Sequence, residues 1–306
     1  MIVVAGEALI DRIVGPDGST TDVPGGGPFN TARTIGRLGV PVAFLGCLSN
    51  DASGVALRAA LAADGVDLSM AVPTPAPTTL AVAQLDADGA ATYRFETERT
   101  SAPRLSVAAV RAALATRPAA FHLGTLGLVL EPMATALAEG LDSTEPGTLI
   151  MLDPNVRAAA IGDLGSYLER MVRVIRRVDV VKSSRDDLEL LWPGMPAAVA
   201  AHRMLAAGPA AVVVTDGRNP AVCFTSGWSF HAAVPPLAVV DSVGAGDAFG
   251  GAFLARWIER GFGRAQLSDE GAMREAVELA VAVASVTCAR AGADPPRRHE
   301  VAWPAS

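Results

Sequence analysis

The sequence predicts an α/β fold in which helices cover a mostly parallel central sheet, and three observations lead to this prediction. Short apolar runs rich in β-branched residues alternate with Ala- and Leu-rich helical stretches. Half of the 306 residues are apolar and only 19% are charged, so the chain can bury a large core. Glycine and proline are scattered, and no stretch has the composition of a linker. We therefore expect a single domain over 1–306, carrying a small appendage.

The strands expected in the central sheet are five short apolar runs. In chain order they are MIVVAG (1–6), VAFLGCL (42–48), GTLIMLD (147–153), VDVVKSS (178–184) and AAVVVTDG (210–217). The first run has no basic region before it and soon meets Glu7, so it is predicted to be a strand and not a signal peptide. The late apolar stretch 272–293 contains four charged residues, which indicates a helix of a water-soluble protein.

Two further segments have the pattern of β-hairpins. DRIVGPDGSTTDV (11–23) centres on PDG, and TLAVAQLDADGAATYRF (79–95) centres on a turn at DADG (86–89). We expect these segments, about 11–23 and 79–100, to form a small β-sheet that acts as a lid.

Charge and cysteine content exclude several classes of partner. The net charge is -7 and the basic residues are dispersed, so neither nucleic acid nor an anionic membrane is expected as a partner. The three cysteines are far apart, odd in number and without a C-x-x-C pair. This pattern argues against a disulfide framework or a zinc site and favours the reducing cytoplasm.

The stretch VVDSVGAGDAFGGAFLA (239–255) places a carboxylate beside glycines at the start of a predicted helix. Backbone amides of Gly244, Ala245 and Gly246 can converge on an anion at such a helix start. Asp247 would repel a bound phosphate, so a carboxylate is expected at this place only where a proton has to be removed. Phosphoryl transfer to a hydroxyl has that need. The alternative is that Asp247 only caps the helix.

A second glycine-rich stretch, VPGGGPFNTARTIGRLG (23–39), precedes another helical pattern. Its glycines permit close approach of the backbone, and Asn30 offers both a donor and an acceptor to a polyhydroxylated ligand. The alternative is an ordinary glycine turn before a helix that begins with Pro28. Asp11 upstream and Asp247 downstream favour the ligand site.

Both signatures, GGGPFNTARTIGRLG and DSVGAGDAFGGAF, resemble those of the ribokinase-like, or PfkB-type, carbohydrate kinases. FHLGTLGL, DPNVR, VVTDG and VTCARAGADPP follow the order of that family and look most like its bacterial fructokinases. The resemblance covers nearly the whole chain. It implies a three-layer α/β/α fold with a β-sheet lid that also pairs two protomers into a homodimer.

The resemblance also assigns roles to individual residues. Asp247 matches the catalytic base of the family, and the amides of Gly244, Ala245 and Gly246 match its anion hole. The sugar contacts fall on Asp11, Gly26, Gly27 and Asn30, with Arg157 placed for the phosphate or the substrate. The nucleotide contacts fall on Ser184, Thr215, Gly217, Gly246 and Ser285. The cation sites are Asp187, through water on Mg²⁺, and Asp241, Ser242 and Gly292 for K⁺.

Two positions depart from the family pattern. The usual Asn-x-x-Glu is here Ser184 and Asp187, which can still organise the waters that Mg²⁺ keeps. In the nucleotide loop TDGRNPA, Pro220 stands where a second glycine is usual.

The sequence therefore predicts an ATP-dependent sugar kinase, with fructose as the expected substrate. Its expected partners are small molecules, the sugar and ATP, and its expected cations are Mg²⁺ and K⁺. Ribose, 2-keto-3-deoxygluconate and nucleosides remain as alternative substrates. A non-catalytic sugar-binding regulator is the alternative from another class, although binding alone would not need Asp247. A nicotinamide oxidoreductase is excluded because Phe249 occupies the third glycine position of its fingerprint.

Overall fold

A computed structural model describes residues 1–86 and 91–304 of the protein. The strands are β1 (Ile2–Ala5), β2 (Leu9–Val14), β3 (Thr20–Gly25), β4 (Val42–Leu45), β5 (Cys47–Ser49), β6 (Val72–Thr74), β7 (Leu80–Leu85), β8 (Ala91–Glu96), β9 (Ala120–Gly124), β10 (Leu149–Asp153), β11 (Val180–Ser184), β12 (Ala211–Asp216), β13 (Asn219–Phe224) and β14 (Ser229–Ala232). The helices are α1 (Gly27–Arg37), α2 (Ala52–Ala63), α3 (Val107–Ala115), α4 (Met133–Gly140), α5 (Leu164–Ile175), α6 (Arg185–Leu191), α7 (Ala197–Ala207), α8 (Ala245–Glu259) and α9 (Glu270–Cys288).

The central sheet has eight strands in the order β14-β13-β12-β11-β10-β9-β1-β4. Strands β4, β1, β9, β10, β11 and β12 are parallel, and β13 and β14 continue the sheet as antiparallel strands at one edge. The predicted mostly parallel sheet is confirmed. The antiparallel edge hairpin was not predicted, and the run VAFLGCL is divided at Gly46 between β4 and β5.

Side chains that alternate along the strands fill two separate cores, one on each face of the sheet. Val4 of β1 belongs to the core beneath α1, α2, α8 and α9, where Trp257 is fully buried. Val3 belongs to the other core, which lies beneath α3, α4, α5 and α7. Helix, sheet and helix therefore form the three layers that the family resemblance implies.

A separate sheet is built from the two predicted hairpins, in the order β3-β2-β7-β8. Strands β2 and β3 pair antiparallel, as do β7 and β8, and β2 runs parallel to β7. The predicted DADG turn lies mostly outside the described residues. Strand β3 leads directly into α1, so this sheet is joined to the carboxyl edge of the central sheet.

The carboxyl ends of β9, β10 and β11 lie side by side, which is where ligands bind in open α/β sheets. Gly124 ends β9 so close to β10 that a methyl group on it would stand 1.8 Å from the carbonyl oxygen of Asp153. Among the described residues, no helix combines the length and apolar character needed to cross a bilayer.

Candidate active site

Asp247 occupies the first turn of α8 and is 7% exposed. Gly244 precedes the helix in the left-handed conformation, with φ of 75°, which glycine adopts at little cost. No side chain caps this helix, and the Asp247 carboxylate instead accepts a hydrogen bond from Asn30 (Nδ2 to Oδ2, 2.9 Å). The alternative prediction, that Asp247 serves as a helix cap, is therefore wrong.

The amides around Asp247 are only partly engaged. Ala245 donates its N–H to the carbonyl of Ser242 at 3.3 Å, so this amide, predicted to form part of the anion hole, is already in a turn. Within residues 1–86 and 91–304, the N–H groups of Gly244 and Gly246 donate to no acceptor. Two of the three predicted amides are thus free to meet an anion at the positive end of α8.

Glycine is required on the opposite side of the site because side chains crowd against the backbone. A methyl group on Gly27 would stand 2.4 Å from Oγ1 of Thr125 and 3.3 Å from Oδ1 of Asp247. A methyl group on Gly25 would stand 1.9 Å from Oδ2 of Asp11. The glycine turn that begins α1 therefore lies directly against both carboxylates.

Asn30, on the first turn of α1, contributes one donor and one free acceptor. Its Nδ2 donates to Asp247, whereas its buried Oδ1 accepts no hydrogen bond from any described residue. Buried polar atoms normally have partners, so an unpaired oxygen beside the Asp247 carboxylate indicates a place for a ligand that donates a hydrogen bond. A sugar hydroxyl is such a donor.

Asp11 and Arg157 are close enough for the charge of Arg157 to act on the Asp11 carboxyl. Burial raises the pKa of Asp11 to about 6, and the positive charge of Arg157 opposes that rise while Asp247 adds to it. Arg157 is exposed, on the loop after β10. The predicted sugar residues Asp11, Gly26, Gly27 and Asn30 are thus assembled around Asp247.

Two residues with left-handed backbones lie beside this site and were not predicted, and one of them contacts the Asp247 carboxylate. Asn155 has φ of 38° and its Nδ2 lies 3.5 Å from Oδ1 of Asp247. Thr125 has φ of 52° and lies 3.4 Å from the Asn155 amide. Left-handed backbone in residues other than glycine is uncommon and tends to occur at functional sites. Asn155 belongs to the DPNVR motif, from which the sequence analysis assigns a role only to Arg157.

Glu7 is fully buried behind the glycine turn. Its two carboxyl oxygens accept the amides of Gly27, at 3.2 Å, and Gly127, at 3.0 Å. Burial raises the pKa of Glu7 to about 8, against the lowering effect of these hydrogen bonds and with a further rise from Asp247. In the sequence, Glu7 only argues against a signal peptide, and its contact with the glycine turn is not predicted.

Lys182 and Asp153 form a buried ion pair beneath the site, with 2.9 Å between Nζ and Oδ2. Burial raises the pKa of Asp247 above its ordinary value, although the Asn30 hydrogen bond and the charges of Lys182 and Arg157 act to lower it. Neither member of the pair was predicted, because a strand interior gives no sequence signal for a charge that will face a distant helix.

The departure at Ser184 and Asp187 proves to be a complete helix cap. Ser184 accepts the amide of Asp187, and Asp187 accepts the amide of Ser184, which is a capping box at the start of α6. The other Asp187 oxygen accepts the amide of Val156 at 2.7 Å. Both oxygens of this buried carboxylate therefore accept backbone N–H groups, so neither is left free for direct coordination of a metal ion.

The remaining predicted nucleotide residues lie at the strand ends beside α6 and on α9. Thr215 pairs with Ser184 across β12 and β11, and Gly217 follows in the turn to β13 with φ of 54°. The hydroxyl of Ser285 is turned into α9, where it donates to Val281. This hydroxyl is therefore not directed toward the predicted nucleotide site.

The residues predicted to bind a monovalent cation form one tied loop. Asp241 accepts the amides of Val243, at 3.0 Å, and Gly292, at 2.9 Å. Ser242 is exposed beside them. No group of three His, Cys, Asp or Glu side chains in the described part of the chain is arranged to hold a metal ion.

A buried carboxylate at a glycine-capped helix, set at the carboxyl edge of a parallel sheet beneath a second sheet, is the arrangement of a sugar kinase. The family model for "pfkB family carbohydrate kinase" matches residues 1–299, and the chain belongs to this family. The predicted family, fold class and enzyme class are confirmed.

Named relatives agree with this assignment. A fructokinase of Rhizobium leguminosarum bv. trifolii is 37% identical over 263 residues, which cover 83% of this chain and 79% of the relative. Fructokinase-1 of Zea mays is 32% identical and covers 96% of this chain and 94% of its own. The crystal structure of a fructokinase with bound ATP from Xylella fastidiosa has a TM-score of 0.88 at 26% identity, covering 95% of this chain and 93% of that chain.

Proposed function

We propose that the protein is an ATP-dependent fructokinase in which Asp247 removes the proton from the attacking sugar hydroxyl. The observation that carries the proposal is the Asp247 carboxylate, which is buried in the first turn of α8 and released from any capping duty. A carboxylate near free helix amides serves phosphoryl transfer, since one group accepts the proton while the others stabilise the transferred charge. The fructokinase relatives support fructose as the acceptor.

The sugar would lie between the second sheet and the glycine turn of α1. Asp11 and the unpaired Oδ1 of Asn30 would accept hydrogen bonds from its hydroxyls, and Gly26 and Gly27 leave room for the ring. Asn155 and Asn30 hold the two oxygens of Asp247 in place, so the base is oriented before the sugar binds. Arg157, on the open side, would meet the phosphate or the substrate.

ATP would lie across the ends of β11 and β12, with its phosphates at the free amides of Gly244 and Gly246. Ser184, Thr215 and Gly217 line that path, and the turn around Gly292 lies close by, because Gly244 packs against Ala293. Ser285 would border the adenine through the backbone of its segment. Magnesium would arrive with ATP and neutralise phosphate charge, as is usual for phosphoryl transfer.

The cations fit this site to different degrees. Asp187 can touch a magnesium ion only through its waters, since both oxygens accept backbone amides. Asp241, Ser242 and Gly292 form a compact loop in which K⁺ is our assignment. Comparing turnover in K⁺ and in Na⁺ tests this, and equal rates would contradict it.

The second sheet would act as a lid, and the same sheet would join two protomers into a homodimer. Strands β2 and β7 carry it over the site, with Asp11 on one face. Closure of such a sheet excludes water from the phosphoryl group. We assign the protein to the cytoplasm, where free cysteines stay reduced; Cys47 and Cys223 are buried and unpaired.

A coupled assay of ADP release tests the function. Fructose, ribose, 2-keto-3-deoxygluconate and a nucleoside are compared with Mg²⁺ and K⁺ present. We expect fructose to be preferred. Preference for another sugar would contradict the substrate assignment alone, whereas sugar binding without any turnover would favour the regulator.

A further inference from the structure

Lys182 is the only lysine in the sequence, and each of the other 24 basic residues is an arginine. It lies on the central strand β11 and is 3% exposed. A buried cation is costly unless it is paired and its remaining N–H groups are hydrogen-bonded. The position therefore calls for an explanation beyond the ion pair with Asp153.

The ammonium group lies directly behind the glycine turn of α8. A methyl group on Gly246 would stand 2.6 Å from Nζ of Lys182, so a side chain there would displace the ammonium. In the described part of the chain, Nζ donates one hydrogen bond, to Asp153. An ammonium has three N–H groups, so two of them have no acceptor there.

Lysine suits this place better than arginine does. An ammonium is a compact charge, whereas a planar guanidinium needs space on both sides and a matching fork of acceptors. Here the ammonium lies between the Asp153 carboxylate, at 2.9 Å, and the backbone of Gly246, which favours the compact group.

The charge on Lys182 is secured by its surroundings. Burial lowers its pKa, but the carboxylates of Asp153, Asp187 and Asp247 outweigh burial and raise the pKa above its ordinary value. In return, Lys182 lowers the pKa of Asp247, which burial raises. The two groups therefore favour each other's charged forms.

We propose that Lys182 is a positioning residue for phosphoryl transfer, whose ammonium keeps Asp247 ionised and backs the amides that receive the phosphates. This inference rests on the proposed kinase function. It deepens that function by naming the charge that allows a buried carboxylate to act as a base. The ammonium would also attract the transferred phosphoryl group through the turn at Gly246.

Other titratable groups act on Asp247 as well, and they lie on several elements. They are Glu7 after β1, Asp11 on β2, Asp153 on β10, Arg157 on the following loop and Lys182 on β11. Lys182 is the buried cation of this set, so its removal should be felt most directly by Asp247.

The first test is the pH profile of kcat/KM for Lys182→Met, which keeps the length of the side chain and removes its charge. A neighbouring opposite charge typically lowers a carboxyl pKa by about 1–3 units. The acid limb, where Asp247 loses its proton, should therefore move to higher pH by at least about one unit. Asp153→Asn keeps the ammonium and removes its competing anion, so its acid limb should move to lower pH or stay. An unmoved limb in a folded Lys182→Met protein would overturn the inference.

Arg256→Met provides the matched control. Arg256 is also a 3% exposed cation on α8, but it pairs with Glu259 and Glu275 far from the first turn. Its loss should lower the temperature of unfolding and leave the acid limb in place. A shift equal to that of Lys182→Met would mean that any buried cation has this effect, and would also overturn the inference.

A spectroscopic test needs no change at Lys182. Because the chain has one lysine, labelling with [ζ-¹⁵N]lysine gives a single side-chain ammonium resonance from this residue. Asp247→Asn should move that resonance in the absence of ligand, and a non-hydrolysable ATP analogue with Mg²⁺ should move it in the wild type. A resonance that stays in place in both experiments would overturn the inference. If the wild type phosphorylates no sugar, the proposed function fails, while this resonance still decides the role of Lys182.

Discussion

The side-chain amide of Asn30 and the carboxylate of Asp247 lie 2.9 Å apart although 217 positions of sequence separate them. The carboxylate is therefore held by its neighbours before any substrate arrives. Asp247→Asn keeps the shape of the side chain and the hydrogen bond from Asn30, because an asparagine oxygen can still accept it, and it loses the longer contact with Asn155. The asparagine cannot take a proton. We expect kcat to fall by roughly 10²–10⁴-fold, which is the usual cost of losing a general base.

The measurement is steady-state turnover with fructose, together with calorimetric binding of fructose and of ATP. Both affinities should stay close to those of the wild type. A purified Asp247→Asn protein with near-normal kcat would contradict the assignment of Asp247 as the base.

Substrate choice depends on the acceptors offered to the sugar. Asp11 and Asn30 would be left unpaired by a sugar whose hydroxyls are placed differently, and an unpaired buried group is costly. We expect kcat/KM for fructose to exceed that for ribose by at least roughly tenfold, about 1.4 kcal/mol. Asp11→Ala should reduce this ratio and leave ATP binding unchanged. A higher kcat/KM for ribose in the wild type would refute the preference.

Gly27 tests how closely the backbone must approach the site. Gly27→Ala places a methyl group 2.4 Å from Thr125 and near Asp247, so one of these groups must shift. A small displacement of catalytic groups can cost about 10²-fold in rate. We expect that loss in kcat/KM for fructose. Gly162→Ala is the control, because its methyl group meets nothing within 4 Å; an equal loss in both variants would show that the effect is not local.

The second sheet offers a test of the dimer. Ile13, Ala83 and Tyr93 are neighbours across three strands, on the face that also carries Asp11, and Tyr93 is 57% exposed. If this face joins the two protomers of the proposed dimer, Tyr93→Glu places a charge in their contact. We therefore expect this variant to shift toward monomer in analytical ultracentrifugation. Val55→Glu changes an equally exposed residue on α2 and should leave the mass unchanged. A wild type that sediments as a monomer at all concentrations would disprove the dimer.

Glu7 predicts a dependence of stability on pH. Its pKa is about 8 in the folded protein and near 4.5 when unfolded, so folding takes up a proton between these values. The stabilisation from the protonated form is complete below about pH 4.5 and is lost as pH rises through 8. The slope is at most about 1.4 kcal/mol per pH unit. Denaturant unfolding of the wild type and Glu7→Gln should give a difference in free energy that shrinks from pH 5 to 8; a constant difference would show that Glu7 does not titrate there.

Local patterns predicted the architecture well. β-Branched runs give strands, a Pro after glycines starts α1, and the two hairpin segments give β2, β3, β7 and β8. The expectation that Asp11, Asn30 and Asp247 share one site came from the two glycine-rich signatures and their resemblance to PfkB-type kinases. These signals depend on neighbours in the chain, which a sequence displays directly.

The parts that were missed depend on packing between distant segments. Lys182 looks like any polar residue in a strand until β11 is placed beside β10 and under α8. Glu7 gains its meaning from Gly27 and Gly127, which come near only in the fold. Ser184 and Asp187 were expected near a metal, yet their spacing is equally that of a capping box, and the structure uses it as one.

The long separation between Asn30 and Asp247 has a consequence for synthesis of the chain. When a ribosome has released the protein only as far as β14, the nascent chain already carries Asp11, Asn30 and Asn155, but it lacks Asp247 and the amides of the first turn of α8. It also lacks the partner that covers Phe29, Ala32 and Ile35 on α1. The residue that we propose as the base therefore leaves the ribosome after every residue that we propose to contact the sugar.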